Sequence, residues 1–205
     1  MRIGVLSGGG DAPGTNAVIR AIVRKGIKEY RDVFVGIKDG WRGLLEGNYK
    51  TLDLETTTGI LTLGGSILGF SRTNPFKHEG GVVSVMENFG RVGLDALIVI
   101  GGDDTLSVAY RMEEFGLKYV GVPKTIDNDL AGTDYTFGFN TAVSIATETL
   151  DRLHSTAEAH HRVMILEVMG RYTGWIAISA GIAGGADAIL IPERPFSVDE
   201  ICKYI

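Results

Sequence analysis

Residues 2–25 read RIGVLSGGGDAPGTNAVIRAIVRK, and this stretch decides the fold class. It opens with a compact apolar run at residues 3–7, which predicts a buried strand, and continues through a glycine-rich turn. From about residue 15 to residue 30, apolar residues recur at three- and four-residue steps, which predicts an amphipathic helix. The stretch therefore predicts a strand–turn–helix unit, from which sheets covered by helices are built.

The same alternation continues along the chain. Further strands are predicted at residues 33–37, 96–100, 119–122, 163–166 and 188–191, and the clearest helix at residues 140–159. Several strands are continuous apolar runs, as expected of parallel strands that are covered on both faces. We therefore expect an α/β fold with a doubly wound, mostly parallel sheet and Rossmann-like layers. A last helix is predicted to begin after Ser197, a residue type favoured as an N-cap.

The composition excludes several classes of protein. The 205 residues, 44% of them apolar, suffice for one domain or two small lobes, and 20 basic against 25 acidic side chains give a net charge of −5. That balance argues against nucleic acid or an anionic membrane as the partner. Cys202 has no partner cysteine, and no apolar run resembles a signal peptide or a membrane span. We expect a cytoplasmic protein without disulfides.

Glycine makes up 29 of the 205 residues, about double the usual share, and several glycines follow predicted strands. We call the residues that directly follow a predicted strand its exit. The exit of the first strand reads GGGDAPGTNA at residues 8–17 and opens a helix. Glycines let the backbone approach a phosphate, and a helix N-terminus offers free N–H groups. The spacing is one residue longer than the dinucleotide-binding pattern, and the turn lacks a P-loop lysine. A tight turn without a ligand therefore stays an alternative.

The second strand exit reads GGDDT at residues 101–105 and brings Asp103 and Asp104 to the start of a predicted helix. Such carboxylates serve as caps or are favoured by the helix dipole. The functional alternative is a hard cation such as Mg²⁺, bound through carboxylates and phosphate oxygens of a ligand. Gly102, directly before them, suits a backbone that is pressed against a ligand.

The third strand exit reads PKTIDND at residues 123–129 and carries a lysine, a hydroxyl and two carboxylates. Asp127 and Asp129 lie two residues apart, so one could accept a proton from an attacking hydroxyl while the other holds a metal. A solvated loop is the alternative. Because ligands of such sheets bind at the carboxyl ends of the strands, the three exits together predict phosphoryl transfer.

The ordered set of motifs resembles the phosphofructokinase family, from residue 3 to about residue 199. The motifs are GGGDAPGTNA, Arg72 in its loop, GGDDT, PKTIDND, TDYTFGFNTA, HHR at 160–162, EVMGRYTGW at 167–175 and IAGGADAILIPE at 182–193. The resemblance implies a phosphoryl-donor and metal-binding lobe at residues 1–137. It also implies the start of a sugar-phosphate-binding lobe at residues 138–205, the C-terminal remainder of which is absent.

Residue by residue, the resemblance implies roles at the strand exits. Asp127 would take the proton from the 1-hydroxyl of fructose 6-phosphate, and Thr125 would help to bind the sugar and the transferred group. Two further roles concern the metal and the donor: Asp103 and Asp129 would serve Mg²⁺, and Gly10, Gly102 and Arg72 would form the donor site.

The sugar phosphate would be bound by Met169, Gly170 and Arg171, and Arg171 would also oppose the charge that develops during transfer. Arg162 would reach the sugar phosphate of a neighbouring subunit, which implies a homo-oligomer with shared active sites. Without the resemblance, Arg162 also fits a surface role and Arg171 a backbone-capping role. Trp175 is predicted to belong to a helix core.

Two positions bear on the donor. ATP-dependent members typically have glycine where this sequence has Asp104 and Lys124, and charged residues there resemble the pyrophosphate-dependent branch. Asp104 would repel the α-phosphate of ATP, and Lys124 would supply a cation for pyrophosphate. The resemblance thus implies reversible transfer from pyrophosphate to fructose 6-phosphate, giving fructose 1,6-bisphosphate in glycolysis or gluconeogenesis. Trp41 either covers the sheet edge or lies near the donor, as an aromatic often does in nucleotide-using members.

Other functions stay open. An ATP-dependent 6-phosphofructokinase fits most of the same motifs, and a NAD-kinase-like enzyme shares the Gly-Gly-Asp turn, although TIDND and MGR argue against it. A truncated, non-catalytic phosphate-binding subunit is the third alternative. At the positions of the effector-site arginines of regulated bacterial members, Ala21, Leu54 and His154 are not permanently charged and only Lys25 is cationic. Nucleotide-effector allostery is therefore not expected.

Overall fold

The computed structural model describes residues Met1–Ile205 and divides into two compact units, Met1–Thr125 and Ile126–Ile205. The strands are β1 (Arg2–Ser7), β2 (Val33–Ile37), β3 (Tyr49–Leu52), β4 (Ala96–Gly101), β5 (Tyr119–Thr125) and β6 (Phe137–Gly138). The helices are α1 (Thr15–Lys25), α2 (Trp41–Glu46), α3 (Gly81–Val92), α4 (Asp103–Met112), α5 (Phe139–His160), α6 (Trp175–Ala183) and α7 (Val198–Tyr204). A turn of π-helix, Gly26–Tyr30, follows α1, and short 3₁₀ turns lie at Pro75–Lys77 and Glu113–Phe115. No helix is long and apolar enough to cross a membrane.

The first unit is built on a sheet in which β3, β2, β1, β4 and β5 follow one another in space. All neighbours are parallel except β2 and β3, which are antiparallel at the edge. The strand order reverses between β1 and β4, so the sheet is doubly wound and its ligand crevice is expected at that switch point. The predicted α/β fold with a mostly parallel sheet is confirmed.

Two apolar cores cover the two faces of this sheet, because successive side chains of a strand point to opposite faces. Leu6 belongs to the core that also contains buried residues of α2, α3 and α4. Its neighbour Val5 belongs to the other core, which contains buried residues of α1. The predicted apolar strands β1, β2 and β4 are thus largely buried on both sides.

Trp41 is the largest side chain of the first core and is only 1% exposed. Its indole Nε1 donates a hydrogen bond of 3.1 Å to the carbonyl oxygen of Thr105 in the first turn of α4. Of the two positions expected for Trp41, the buried one is observed, and the indole N–H is already bonded to the protein backbone.

The exits of β1 and β4 are packed together through Thr105. A Cβ added to Gly8 would lie 2.7 Å from Cγ2 of Thr105, and one added to Gly101 would lie 2.5 Å from Cβ of Thr105. Real Cβ atoms do not approach so closely, so glycine at both positions lets the first turn of α4 sit against the turn after β1.

Gly101→Ala is therefore expected to lower the free energy of unfolding by about 1–3 kcal/mol, the usual cost of overpacking. The matched control is Gly90→Ala in α3, where the added Cβ would meet nothing within 4 Å. There the same change is expected to stabilise the protein by about 0.4–1 kcal/mol. Urea unfolding followed by circular dichroism measures both, and a Gly101→Ala protein as stable as the wild type would contradict the packing described.

The second unit is mainly helical and packs α5 against α6. Its core contains four buried residues: Phe139, Ala146, Ile176 and Ala180. The helix predicted at residues 140–159 is confirmed within one residue at each end. Trp175, predicted as helix core, is half exposed, because Ile176 rather than Trp175 faces the α5 side.

The prediction of strands at residues 163–166 and 188–191 is wrong, since neither segment forms a strand that pairs with another. A strand requires backbone partners as well as apolar composition. Ile165 is 89% exposed, so this apolar run is not covered within the chain. The boundary between units also differs from the expected division at residues 137/138: it falls after Thr125, because the loop that follows β5 packs with the second unit.

Candidate functional site

Three strand ends of the first unit meet at one edge of the sheet. Ser7, the last residue of β1, is paired with Ile100 of β4, and Gly101 at the end of β4 is paired with Pro123 of β5. Because these strands are parallel and adjacent, the residues that follow them share one crevice. The predicted clustering of the first two exits with Lys124 and Thr125 is therefore seen in the first unit.

The turn after β1 is tied to the neighbouring backbone. The amide of Gly8 donates to the carbonyl of Ile100 (2.9 Å), and the amide of Gly9, at a left-handed φ of 82°, donates to the carbonyl of Ser71 (3.0 Å). Gly10 is exposed, and a Cβ added there would meet nothing within 4 Å. The helix that follows, α1, begins at Thr15, and its N-cap residue Gly14 has no side chain to cap it. The turn thus leaves backbone N–H groups and open space for an anion.

The loop before Arg72 is anchored to the same edge of the sheet. The side chain of Asn16 donates to the carbonyls of Leu63 (3.0 Å) and Gly64 (3.1 Å) and accepts from the amide of Ile67 (2.8 Å). Ser7 Oγ donates to the carbonyl of Gly69 (2.9 Å). These bonds fix the loop that presents the exposed Arg72.

Lys124 is buried at this edge, with only 2% of its surface exposed. Its ammonium donates a hydrogen bond to the carbonyl oxygen of Gly10. Burial lowers the pKa of Lys124, and the negative charge of Asp11 acts in the opposite direction. The structure therefore brings two of the predicted donor residues, Gly10 and Lys124, into direct contact.

Asp103 and Asp104 lie in the first turn of α4 and are exposed. The N-cap residue is Gly102, so neither carboxylate serves as the N-cap, and both lie where the helix dipole favours negative charge. Gly102 lies beside β5: a Cβ added to it would come within 3.6 Å of the carbonyl oxygen of Lys124. No group of three or more side chains typical of a metal centre is found.

In the second unit, the pKa of Asp127 is raised, first by burial and then by the negative charge of Asp129, whereas Arg171 lowers it. The structure thus brings Asp127, Asp129 and Arg171 close enough to interact electrostatically. The Thr173 hydroxyl lies 3.1 Å from the carbonyl oxygen of Asp127 and 3.2 Å from that of Gly170, in position to donate to either. It therefore ties the loop after β5 to the segment that carries Arg171.

Asn128, between the two aspartates, adopts a left-handed conformation with φ of 53°. Its side chain donates to the carbonyl of Asp134 (3.1 Å) and accepts from the amide of Thr136 (2.9 Å). Asparagine tolerates this conformation better than most residues, and these bonds hold it there. Asp129 itself is exposed and lines an open cavity of about 780 Å³ in the second unit. The role of Asn128 was missed by the sequence reasoning, although an asparagine between two aspartates is a signal for a turn.

The remaining predicted site residues belong to the second unit and lie at positions 162 and 169–171. Gly170 has a φ of 148° and Arg171 one of 52°, so this turn is built from positive φ values. Met169 is 72% exposed, and the Arg171 guanidinium lies 4.6 Å from the ring centre of Tyr172. Arg162 is exposed just after the end of α5, and its amide donates to the carbonyl of Ala157. No hydrogen bond or ion pair joins the side chain of Arg162 to Asp127 or Arg171 within this unit.

A family model described as phosphofructokinase matches residues 2–205. A curated relative from Streptomyces coelicolor, named pyrophosphate–fructose 6-phosphate 1-phosphotransferase, is 59% identical over 206 residues, covering 100% of this chain and 60% of its own. A second protein of that organism, named ATP-dependent 6-phosphofructokinase 3, is 56% identical over 205 residues, with the same coverage.

Among solved structures, phosphofructokinase from Saccharomyces cerevisiae superposes with a TM-score of 0.88 at 35% identity. The match covers 98% of this chain and 31% of that one. The chain thus spans about 60% of the length of the curated relatives it matches.

Proposed function

The chain belongs to the phosphofructokinase family, and from this premise we propose that it transfers a phosphoryl group from pyrophosphate to the 1-hydroxyl of fructose 6-phosphate. The product is fructose 1,6-bisphosphate, and the reaction is reversible and belongs to glycolysis or gluconeogenesis. The observation that carries the proposal is the buried Lys124, the ammonium of which lies on the Gly10 turn at the strand edge. A relative named for this reaction is 59% identical over the whole chain.

The choice of donor depends on the charges at the edge of the sheet. Lys124 offers a desolvated cation. A desolvated ammonium attracts a compact diphosphate more strongly than an exposed ammonium does, because water screens its charge less. Asp104 adds a negative charge in the first turn of α4, which disfavours the longer triphosphate. The indole of Trp41 is buried and bonded to Thr105, so it offers no face on which adenine could stack.

The proposed chemistry uses the second unit for the acceptor. Asp127 takes the proton of the 1-hydroxyl while that oxygen forms the new bond to phosphorus and the bridging P–O bond of pyrophosphate breaks, releasing phosphate. Burial and Asp129 raise the pKa of Asp127, which makes its carboxylate a better proton acceptor. Thr125 and Arg171 would support the transferred group, with Arg171 opposing the charge that develops on it.

Members of this family generally use a divalent metal, and we propose Mg²⁺ held by Asp103 and Asp129. Both carboxylates are exposed, which suits an ion that keeps several waters and takes its other ligands from phosphate oxygens. When bound, the ion neutralises charge on the donor. The donor phosphates would also contact Gly10, Gly102 and Arg72.

The sugar phosphate would bind at the turn formed by Met169, Gly170 and Arg171, where positive φ values expose backbone groups beside a cation. Arg162 is exposed and forms no ion pair in its own unit. We propose that it completes the site of a neighbouring subunit in a homo-oligomer. The lone Cys202 fits a reducing compartment, and the proposed enzyme would act in the cytoplasm.

The donor assay is the direct test. The wild type is expected to turn over fructose 6-phosphate with pyrophosphate and at least about 30-fold more slowly with ATP, the cost of a few kcal/mol of charge repulsion. The double variant Asp104→Gly with Lys124→Gly is expected to lose pyrophosphate use by about 10²-fold or more, because it removes the buried ammonium. Equal rates with ATP would favour the ATP-dependent alternative, for which a 56% identical relative speaks.

The non-catalytic alternative is tested by binding. Isothermal titration calorimetry with fructose 6-phosphate should show saturable binding, and turnover should follow its occupancy. A protein that binds pyrophosphate but neither binds nor phosphorylates the sugar would contradict the proposed transfer and support a phosphate-binding subunit.

A further inference from the structure

The ammonium of Lys124 has unusual surroundings for a buried cation. It donates to one backbone carbonyl, that of Gly10, and no carboxylate forms an ion pair with it. Its other neighbour is the ring of Phe70, with Nζ 5.1 Å from the ring centre. A Cβ added to Gly9 would lie 3.7 Å from the same nitrogen. The charge therefore lies beside the backbone of the Gly10 turn and beside one aromatic face.

A ring at this distance attracts a cation through its quadrupole. The attraction matters here because burial of Lys124 disfavours its charged form, as the lowered pKa shows. The charge that acts in favour of the ammonium is that of Asp11, which is exposed. The ring therefore compensates part of the cost of burial without adding a charge.

A ring also differs from a carboxylate because it leaves the N–H donors of the ammonium available to a ligand. A carboxylate partner would neutralise the ammonium and occupy N–H groups that an incoming anion needs. An aromatic face stabilises the cation while at least two of its three N–H groups stay free for oxygen atoms.

Phe70 is held firmly enough to act in this way. Its neighbour Gly69 has a φ of 76°, donates from its amide to the carbonyl of Ser66 (3.0 Å) and accepts from the hydroxyl of Ser7 (2.9 Å). A Cβ added to Gly69 would lie 2.3 Å from a carboxylate oxygen of Asp39. The backbone next to the ring is thus fixed to the end of β1.

We propose that Phe70 is a positioning residue for the phosphoryl donor: its ring keeps the Lys124 ammonium charged and directed at the Gly10 turn, where pyrophosphate binds. The inference rests on the proposed function and deepens it, because it makes affinity for pyrophosphate depend on a side chain that never touches it. The class of ligand is a small, highly charged oxyanion without an organic group.

The test compares Phe70→Leu, which removes the ring but keeps an apolar side chain, with Phe70→Tyr, which keeps the ring. The matched control is Phe76→Leu, which removes a second ring under a cation, 3.6 Å from Cζ of Arg111. Phe70→Leu is expected to raise both the Kd and the KM for pyrophosphate about ten-fold, with kcat at saturating pyrophosphate within about two-fold of the wild type. Phe70→Tyr and Phe76→Leu should both bind pyrophosphate like the wild type.

A second measurement does not need the enzyme to turn over. The pKa of Lys124, followed by NMR of its side chain, should be lower in Phe70→Leu than in the wild type, because the ring favours the ammonium. Asp11 is the charged group that also acts on Lys124, so Asp11→Asn serves as the reference for an electrostatic change.

The possible outcomes separate the proposed use of pyrophosphate from the proposed role of Phe70. Wild-type protein that binds no pyrophosphate contradicts the proposed function, and the role of Phe70 as a donor-positioning residue falls with it. Wild-type binding together with unchanged Kd, KM and Lys124 pKa in Phe70→Leu overturns the inference about Phe70 alone. A ten-fold loss of affinity that Phe70→Tyr restores supports it.

Discussion

Asp127→Asn is expected to lower kcat by about 10²–10⁴-fold, the usual contribution of a general base. Asparagine has nearly the same shape, so contacts of the backbone, including the bond from Thr173 to the Asp127 carbonyl, stay in place. What the variant loses is the proton acceptor beside Arg171. The affinity for fructose 6-phosphate should therefore stay within about three-fold of the wild type. Steady-state kinetics with pyrophosphate and calorimetry with the sugar measure the two quantities separately.

The control for this variant is Asp151→Asn, which makes the same change at an exposed position of α5. It should leave kcat and the sugar affinity unchanged. If Asp127→Asn kept a tenth or more of the wild-type kcat, Asp127 would not be the base. If instead the sugar affinity fell as much as kcat/KM, the residue would serve in binding rather than in proton transfer.

Local patterns were enough to predict the strands β1, β2 and β4 and the starts of α1 and α5. The reason is that a strand covered on both faces has to be apolar throughout, and a surface helix has to be apolar on one side. The meeting of the ends of β1, β4 and β5 could be predicted as well, because parallel neighbours place their carboxyl ends at the same edge of a sheet. Parallel pairing then brings these ends to one edge without further information.

What could not be predicted depends on contacts between distant residues. Residues 163–166 have the composition of a strand, but composition supplies no ladder partner. The helix α6 reads WIAISAGIA and is apolar on all sides, so its pattern does not show that Trp175 is the exposed residue. Phe70 gives no local signal at all, since its contact with Lys124 joins positions 54 residues apart, 124 − 70.

Lys124→Met is expected to raise the KM for pyrophosphate by about 10²–10³-fold, the cost of leaving a buried charge of the partner unpaired. Methionine fills similar space, so the Gly10 turn keeps its packing while the cation is lost. The control, Lys118→Met, makes the same change of charge at an exposed position and should leave the KM unchanged. A comparable rise in Lys118→Met would mean that net charge, rather than the buried ammonium, attracts the donor.

The same variant should not lose stability, which separates binding from folding. Burial lowers the pKa of Lys124 from its ordinary value of 10.5. Between the lowered value and 10.5 the unfolded chain binds more protons than the native protein, so the contribution of this group to stability rises with pH. Below the lowered value the native protein bears the full cost of a buried charge.

Lys124→Met should therefore have a Tm equal to or above that of the wild type at neutral pH, and the difference should shrink as the pH approaches 10.5. A Tm well below that of the wild type at neutral pH would instead show that the bond from Lys124 to Gly10 stabilises the fold, and that the lysine is structural before it is functional.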